Sequence, residues 1–248
     1  MLSKMSLRII HRSLLLVCLF VISGCFARQQ NPALLEPDDL HARATAAFEA
    51  RNFGRAAELF EVFVLHHHGD PRAPEARLNL GTAYQERREY VTAATHFQRL
   101  LTDFPQSPLG LAARMGICES YYRLSPRPAL DQEYTVSGVL HCESVVQYYP
   151  GTDPALRATG YVREMRLTLA RKTYETGMFY LRRRAFDSAV VYFQQVVDQF
   201  PQTELAPAAL LQMAETYTRQ GYVEDAQEAR ERLLRDYPTS PEAQGLRA

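Results

Sequence analysis

The sequence predicts an all-α chain of about five stacked helix pairs, and three observations carry that prediction. The chain repeats itself: "REYVTAATHFQRLLTDFPQS" from Arg88 aligns without a gap to "RAFDSAVVYFQQVVDQFPQT" from Arg184, matching Tyr90, Ala93, Phe97 and Pro105 to Phe186, Ala189, Phe193 and Pro201. Upstream, Gly81 and Tyr84 correspond to Gly177 and Tyr180. Each unit closes on a proline, whose ring cannot continue a helical hydrogen-bond ladder. Gly-x2-Tyr, nine residues to Ala, four to Phe and eight to Pro is the tetratricopeptide (TPR) pattern of paired helices. One pair cannot bury its apolar face alone, so pairs stack into a superhelix with an extended concave surface.

The units follow in order. Phe53, Ala56 and Phe60 echo Tyr90, Ala93 and Phe97 at a spacing of 37, which places a first repeat over 38–73 and a second over 74–107. The third, over 108–152, is irregular. Tyr121 and Pro150 fit the frame, Gly138 and Cys142 take the Ala and Phe places, and "RLSPRPALDQEYT" lengthens the turn by about eight residues. After Pro154 a stretch of nearly 30 residues without proline carries Tyr161, Met165, Leu169, Tyr174, Met178 and Leu181 at helical spacing. It reads as one long helix opening the fourth repeat, over 153–203. Tyr217, Ala226 and Pro238 repeat Tyr180, Ala189 and Pro201 at a spacing of 37, giving a fifth repeat over 204–240 and a tail over 241–248.

The front end is of a different kind. Lys4, Arg8 and Arg12 precede an apolar run from Ser13 to Ile22, with no acid among the first 24 residues. That run of about ten residues is half the roughly 20 a spanning helix needs, and the layout is that of an export signal. Ile22-Ser23-Gly24-Cys25 resembles the bacterial lipobox, which implies a signal over 1–24, lipid on the Cys25 thiol, and a flexible tether over 25–37. Several acyl chains at roughly 0.8 kcal/mol per buried methylene hold a protein on a bilayer. Phe26, in place of the Asp that often follows in inner-membrane lipoproteins, directs the expectation to the periplasmic face of the outer membrane.

The full chain has 28 basic and 28 acidic side chains, and removing the signal leaves 25 against 28. No basic surplus points to nucleic acid. Cys118 and Cys142 remain after Cys18 and Cys25 are assigned to the signal and the anchor; in an oxidising compartment they form a disulfide or stay as two buried thiols, and the sequence leaves both open. "HHHGD" from His66 does not make a metal site, because consecutive residues cannot converge on one ion from a helix. Cys118 and His141 lack any orienting acid or oxyanion element that the sequence identifies, and no glycine-rich phosphate loop occurs. Neither a catalytic site nor a cofactor is expected.

The insertion with "ALDQEY", the "YP" that follows, and "LARKTYETGMFYLRRRAF" in the long helix together resemble the BamD (YfiO) family of outer-membrane lipoproteins, over Cys25 to about Tyr237. The resemblance implies a non-enzymatic scaffold of five TPR repeats. Its implied partners are an Omp85-type (BamA-like) barrel protein, unfolded outer-membrane protein precursors and, in some systems, other assembly lipoproteins. The alternative is a different envelope TPR lipoprotein, serving pilus secretin assembly or envelope maintenance. By the repeat pattern the groove-facing positions are His41, Thr45 and Phe48 in the first repeat and Leu78, Thr82 and Gln85 in the second. Phe48 and Leu78 are expected as apolar contacts, Thr82 and Gln85 as groups that bond a ligand's backbone. Arg182, Arg183 and Arg184 are a candidate contact for an acidic partner surface, or cations placed favourably at a helix C-terminus.

Overall fold

A computed structural model describes residues 31–247. Cys25, the signal and the tether up to residue 30 lie outside the described residues. The regular structure described is entirely helical. A short 3-10 turn, Pro32–Leu34, precedes α1 (Pro37–Glu49) and α2 (Phe53–His66). Then come α3 (Ala73–Glu86), α4 (Tyr90–Asp103), α5 (Gly110–Leu124) and α6 (Glu133–Tyr148). The chain finishes with α7 (Asp153–Arg182), α8 (Phe186–Gln199), α9 (Leu205–Gln220), α10 (Val223–Asp236) and α11 (Pro241–Arg247). Each helix packs on the next, through short turns except at the insertion over 125–132, and the first helices of successive pairs also touch. The result is a TPR array. No helix among the described residues is long and apolar enough to cross a membrane.

One contact repeats along the array. The ring of Phe97 on α4 sits against Gly81 of α3 and Gly116 of α5, so close that a methyl group on either glycine would lie 2.6 Å and 2.5 Å from ring carbons. Phe193 on α8 stands in the same relation to Gly177 of α7, at 2.7 Å. In the first pair Phe60 is the ring, and Ala44 holds the Gly81 place; both are fully buried. The rings need that space because helices packed this tightly leave no void for displaced side chains.

The turns repeat as well. Arg51, Arg88 and Arg184 have φ of 57°, 64° and 61°, and Gly221 at the matching place in the last pair has φ 81°. Each follows a first helix and reverses the chain through the left-handed region. The second helices stop where Phe104, Tyr149, Phe200 and Tyr237 precede Pro105, Pro150, Pro201 and Pro238, since a residue before proline is driven out of the helical region.

Two ends differ from their expected character. The last part of the expected tether is tied down: Asn31 caps the 3-10 turn through Oδ1, and Leu35 packs on the core of the first repeat. The expected tail is helical from Pro241 to Arg247, with Ala243 fully buried beneath α9 and α10. The insertion is also held in place. Asp131 Oδ1 accepts from the Glu133 amide at 2.9 Å, and the Gln132 amide donates to the Arg127 and Leu130 carbonyls at 3.0 Å. Lys172 of α7 donates to the Leu130 carbonyl at 2.6 Å.

The tight seam sets up a contrast. Gly116→Ala drives a methyl into the Phe97 ring and should destabilise the chain by about 1–3 kcal/mol, the usual range for overpacking. Gly160→Ala, inside α7 with nothing within 4 Å of the new methyl, should stabilise it by about 0.5–1 kcal/mol. Urea unfolding of both variants checks the pair.

Candidate functional site

The first helices of the second, third and fourth repeats line a hollow of about 450 Å³. α3 supplies Leu78, Thr82 and Gln85; α5 supplies Leu111, Ala112, Met115 and Glu119; α7 supplies Pro154 and Arg157. The floor is apolar, with the Phe97 ring beneath it, and Glu119 and Arg157 bring one charge of each sign. Residues 78, 82 and 85 share a face because they lie three and four positions apart on one helix.

Not every expected groove residue behaves as a contact. Thr82 Oγ1 donates to the Leu78 carbonyl at 3.0 Å, within its own helix. The Gln85 amide nitrogen donates to the Gly116 carbonyl at 2.8 Å and to Ser120 Oγ at 2.9 Å, which ties the second repeat to the third. With those donors committed, Gln85 offers the hollow its amide oxygen. The first-repeat residues lie elsewhere. Phe48 is edge-on to Phe53 and Phe60, with centroids 5.6 and 6.2 Å apart, and packs on the core of its own repeat. Its large ring is half-buried in that aromatic cluster and does not line the hollow of the second to fourth repeats. His41 is edge-on to Phe63 at 5.1 Å, and neither His41 Nε2 nor Thr45 Oγ1 has a hydrogen-bond partner among the described residues.

Met115 and Glu119 were within reach of sequence reasoning: they stand 37 residues after Leu78 and Thr82, in the same register. Extending it to Tyr174, Met178 and Leu181 of α7 fails, because those side chains pack into the C-terminal core. The hollow therefore ends at Pro154 and Arg157.

The three arginines at the end of α7 do not form one patch. Arg182 lines a second hollow of about 440 Å³, with Pro128 and Ala129 of the insertion and Lys172, Glu175, Thr176 and Phe179 of α7. Arg183 lies 3.8 Å over the exposed Phe179 ring, a cation–π contact. Arg184 occupies the left-handed turn. Near the "HHHGD" segment, His68 packs on Phe104 at 5.2 Å and Asp70 forms an ion pair with Arg72 at 2.7 Å. The Arg72 hydrogen bond holds the Asp70 carboxyl well below the usual carboxylate range.

A ladder of stacked rings runs beside the seam. Tyr84 stacks on His96 at 5.2 Å, Tyr121 on His141 at 4.9 Å and Tyr180 on Tyr192 at 5.4 Å, at equivalent places in three repeats. Burial, then the charges of Arg77 and Arg99, pull the His96 imidazole down to about 4. Burial and Arg114 lower His141 as well.

A stack of helix pairs with a shared hollow on its first helices defines the class of TPR repeat arrays. Residues 35–233 match the YfiO family model, described as outer membrane lipoprotein, and the chain belongs to that family. It is 24% identical over 229 residues to "Outer membrane protein assembly factor BamD" of Rickettsia prowazekii, covering 92% of this chain and 91% of that one. Against the protein of the same name from Caulobacter vibrioides it is 23% identical, covering 83% and 68%. A solved TPR repeat protein from Bacteroides fragilis overlays with a TM-score of 0.48 at 13% identity, covering 85% of this chain and 95% of the other.

The buried histidine makes a pH prediction with a definite sign. A neutral His96 that resists protonation in the fold, but accepts it at ~6.5 when unfolded, favours folding above that value. Stability should fall as pH drops from ~6.5 toward 4, with a slope of at most about 1.4 kcal/mol per pH unit from this residue. His96→Tyr, which copies the Tyr192 place, should flatten that slope; urea midpoints across the range measure it.

Proposed function

We propose that the chain is a lipid-anchored scaffold of outer-membrane protein assembly, held to the periplasmic face of the outer membrane through Cys25. In this reading its hollow receives extended segments of unfolded barrel precursors, and its C-terminal repeats, around Arg182–Arg184 and Phe179, meet an Omp85-type barrel protein. Other assembly lipoproteins take part where they are present. Membership of the YfiO family and the assembly-factor names of the two relatives support the assembly role. The single observation that supports groove binding is the half-apolar hollow continuous across α3, α5 and the start of α7.

The physics of such a scaffold is direct. A barrel precursor in water exposes alternating apolar side chains and unpaired backbone, which aggregate. A hollow with an apolar floor covers some of those side chains, and the Gln85 amide oxygen accepts from a precursor backbone N–H. Anchoring raises the local concentration of scaffold at the insertion site without adding any contact.

Two variants separate the parts. Ala112 is exposed and lines the hollow, so Ala112→Arg fills the space from a helical position at little cost in stability. It should weaken binding of an unfolded barrel precursor by about tenfold or more, a loss of about 1.4 kcal/mol. Capture of an Omp85-type protein from detergent-solubilised envelopes should continue. A chain that captures no such protein would remove the assembly role, and unchanged precursor binding would move the substrate site elsewhere. Cys25→Ser should leave a folded body that separates from membranes on washing; a variant still sedimenting with the outer membrane would refute the anchor.

A further inference from the structure

The third repeat lacks the ring that fills every pair from the first to the fourth except its own. Counting along the register, Cys118 holds the place of Gly81 and Gly177, and Cys142 holds the place of Phe97 and Phe193. The two cysteines are bonded, 24 residues apart in the chain, and both are fully buried. The small residue and the large ring of the other repeats have been exchanged together for the two halves of one disulfide. No fully buried ring stands among their neighbours. Cys118 and Cys142 share a buried cluster with Met115, Val145, Ala158 and Met165. Met165 comes from α7, not from the pair itself, and its Sδ would lie 2.6 Å from a methyl built on Gly138.

We propose that formation of this bond is the step that completes the third repeat, making the chain an obligate client of a protein thiol oxidant in the compartment where it folds. In the reduced chain two thiols stand where a ring should fill the space between α5 and α6, and the long turn between these helices adds closure entropy to their pairing. Oxidation joins them. The Cys118 and Cys142 thiols each lose a proton and together give two electrons to the oxidant's disulfide, which leaves as a dithiol; one Sγ–Sγ bond forms and one breaks. Because each repeat leans on its neighbours, an unformed third repeat interrupts the stack and splits the hollow, whose walls are α3, α5 and α7. This inference rests on the register and the packing, and stands whether or not the proposed precursor binding is correct.

The test follows the full mature chain by hydrogen exchange and mass. Native protein, denatured and alkylated without reductant, should show no alkylation at residues 118 and 142. Chain refolded from denaturant in a phosphine reductant should regain slow exchange in α2, α4, α8 and α10 but not across residues 110–148. Adding oxidised glutathione should restore protection there in step with the loss of two thiols. Cys118→Gly/Cys142→Phe, which carries the residues of the second and fourth repeats, should protect residues 110–148 with no oxidant present. Free thiols in the native protein would overturn the proposal, and so would protection of residues 110–148 returning before the thiols disappear. Failure of the Gly/Phe pair to protect that segment would overturn the equivalence of bond and ring.

Discussion

The architecture depends on how closely two helices approach at one point. At that point a glycine or alanine on the first helix of a pair meets a phenylalanine from the second, and the ring fills what the missing side chain leaves open. Phe60, Phe97 and Phe193 are among the largest fully buried side chains of the protein. A ring buried this way is worth several times any surface ion pair here, such as Arg51–Glu86 at 3.6 Å, which stays exposed and screened. Once the seam is fixed, the outer faces follow: first helices turn their remaining residues to the hollow, second helices to the opposite side. In the last pair Arg230 replaces the ring and donates to Thr218 Oγ1 at 2.9 Å.

Much of this was legible from the residues. The seam positions recur at fixed spacing, and a residue under steric constraint keeps its place in each copy, so the helix pairs, the long α7 and the insertion were all readable. Leu78, Thr82 and Gln85 share one wall of the hollow for the same reason. Phe48 packs apart from that hollow, because register tells which way a helix position faces and not what waits there; the rings of Phe53 and Phe60 lie beside it. The tail and the end of the tether read as polar and proline-bearing, yet a single buried residue in each, Ala243 and Leu35, is enough to dock them. The disulfide was undecidable, since spacing in the chain carries no distance. Only the pairing of both cysteines with seam positions, visible once α5 and α6 are side by side, explains it.

The electrostatics are modest and local. The buried groups that matter are the ones the repeats force inward. Arg77 is nearly enclosed and reaches Asp103 at 3.3 Å, with burial lowering its affinity for a proton. His96 sits beside it, neutral. Both lie on the second repeat, between the hollow and the opposite face. Their placement makes acid a stress on the same repeat that supplies Leu78 and Gln85.

α7 has a consequence of its own. Its 30 residues form a rod of about 45 Å, twice the length of its neighbours. It touches α5 and α6 on one side and α8 and α9 on the other, and Lys172 pins the insertion near its middle. Arg157 stands near one end and Arg182 at the other. Packed along both sides, the helix joins the wall of the first hollow at Arg157 to the second hollow at Arg182 in one continuous element.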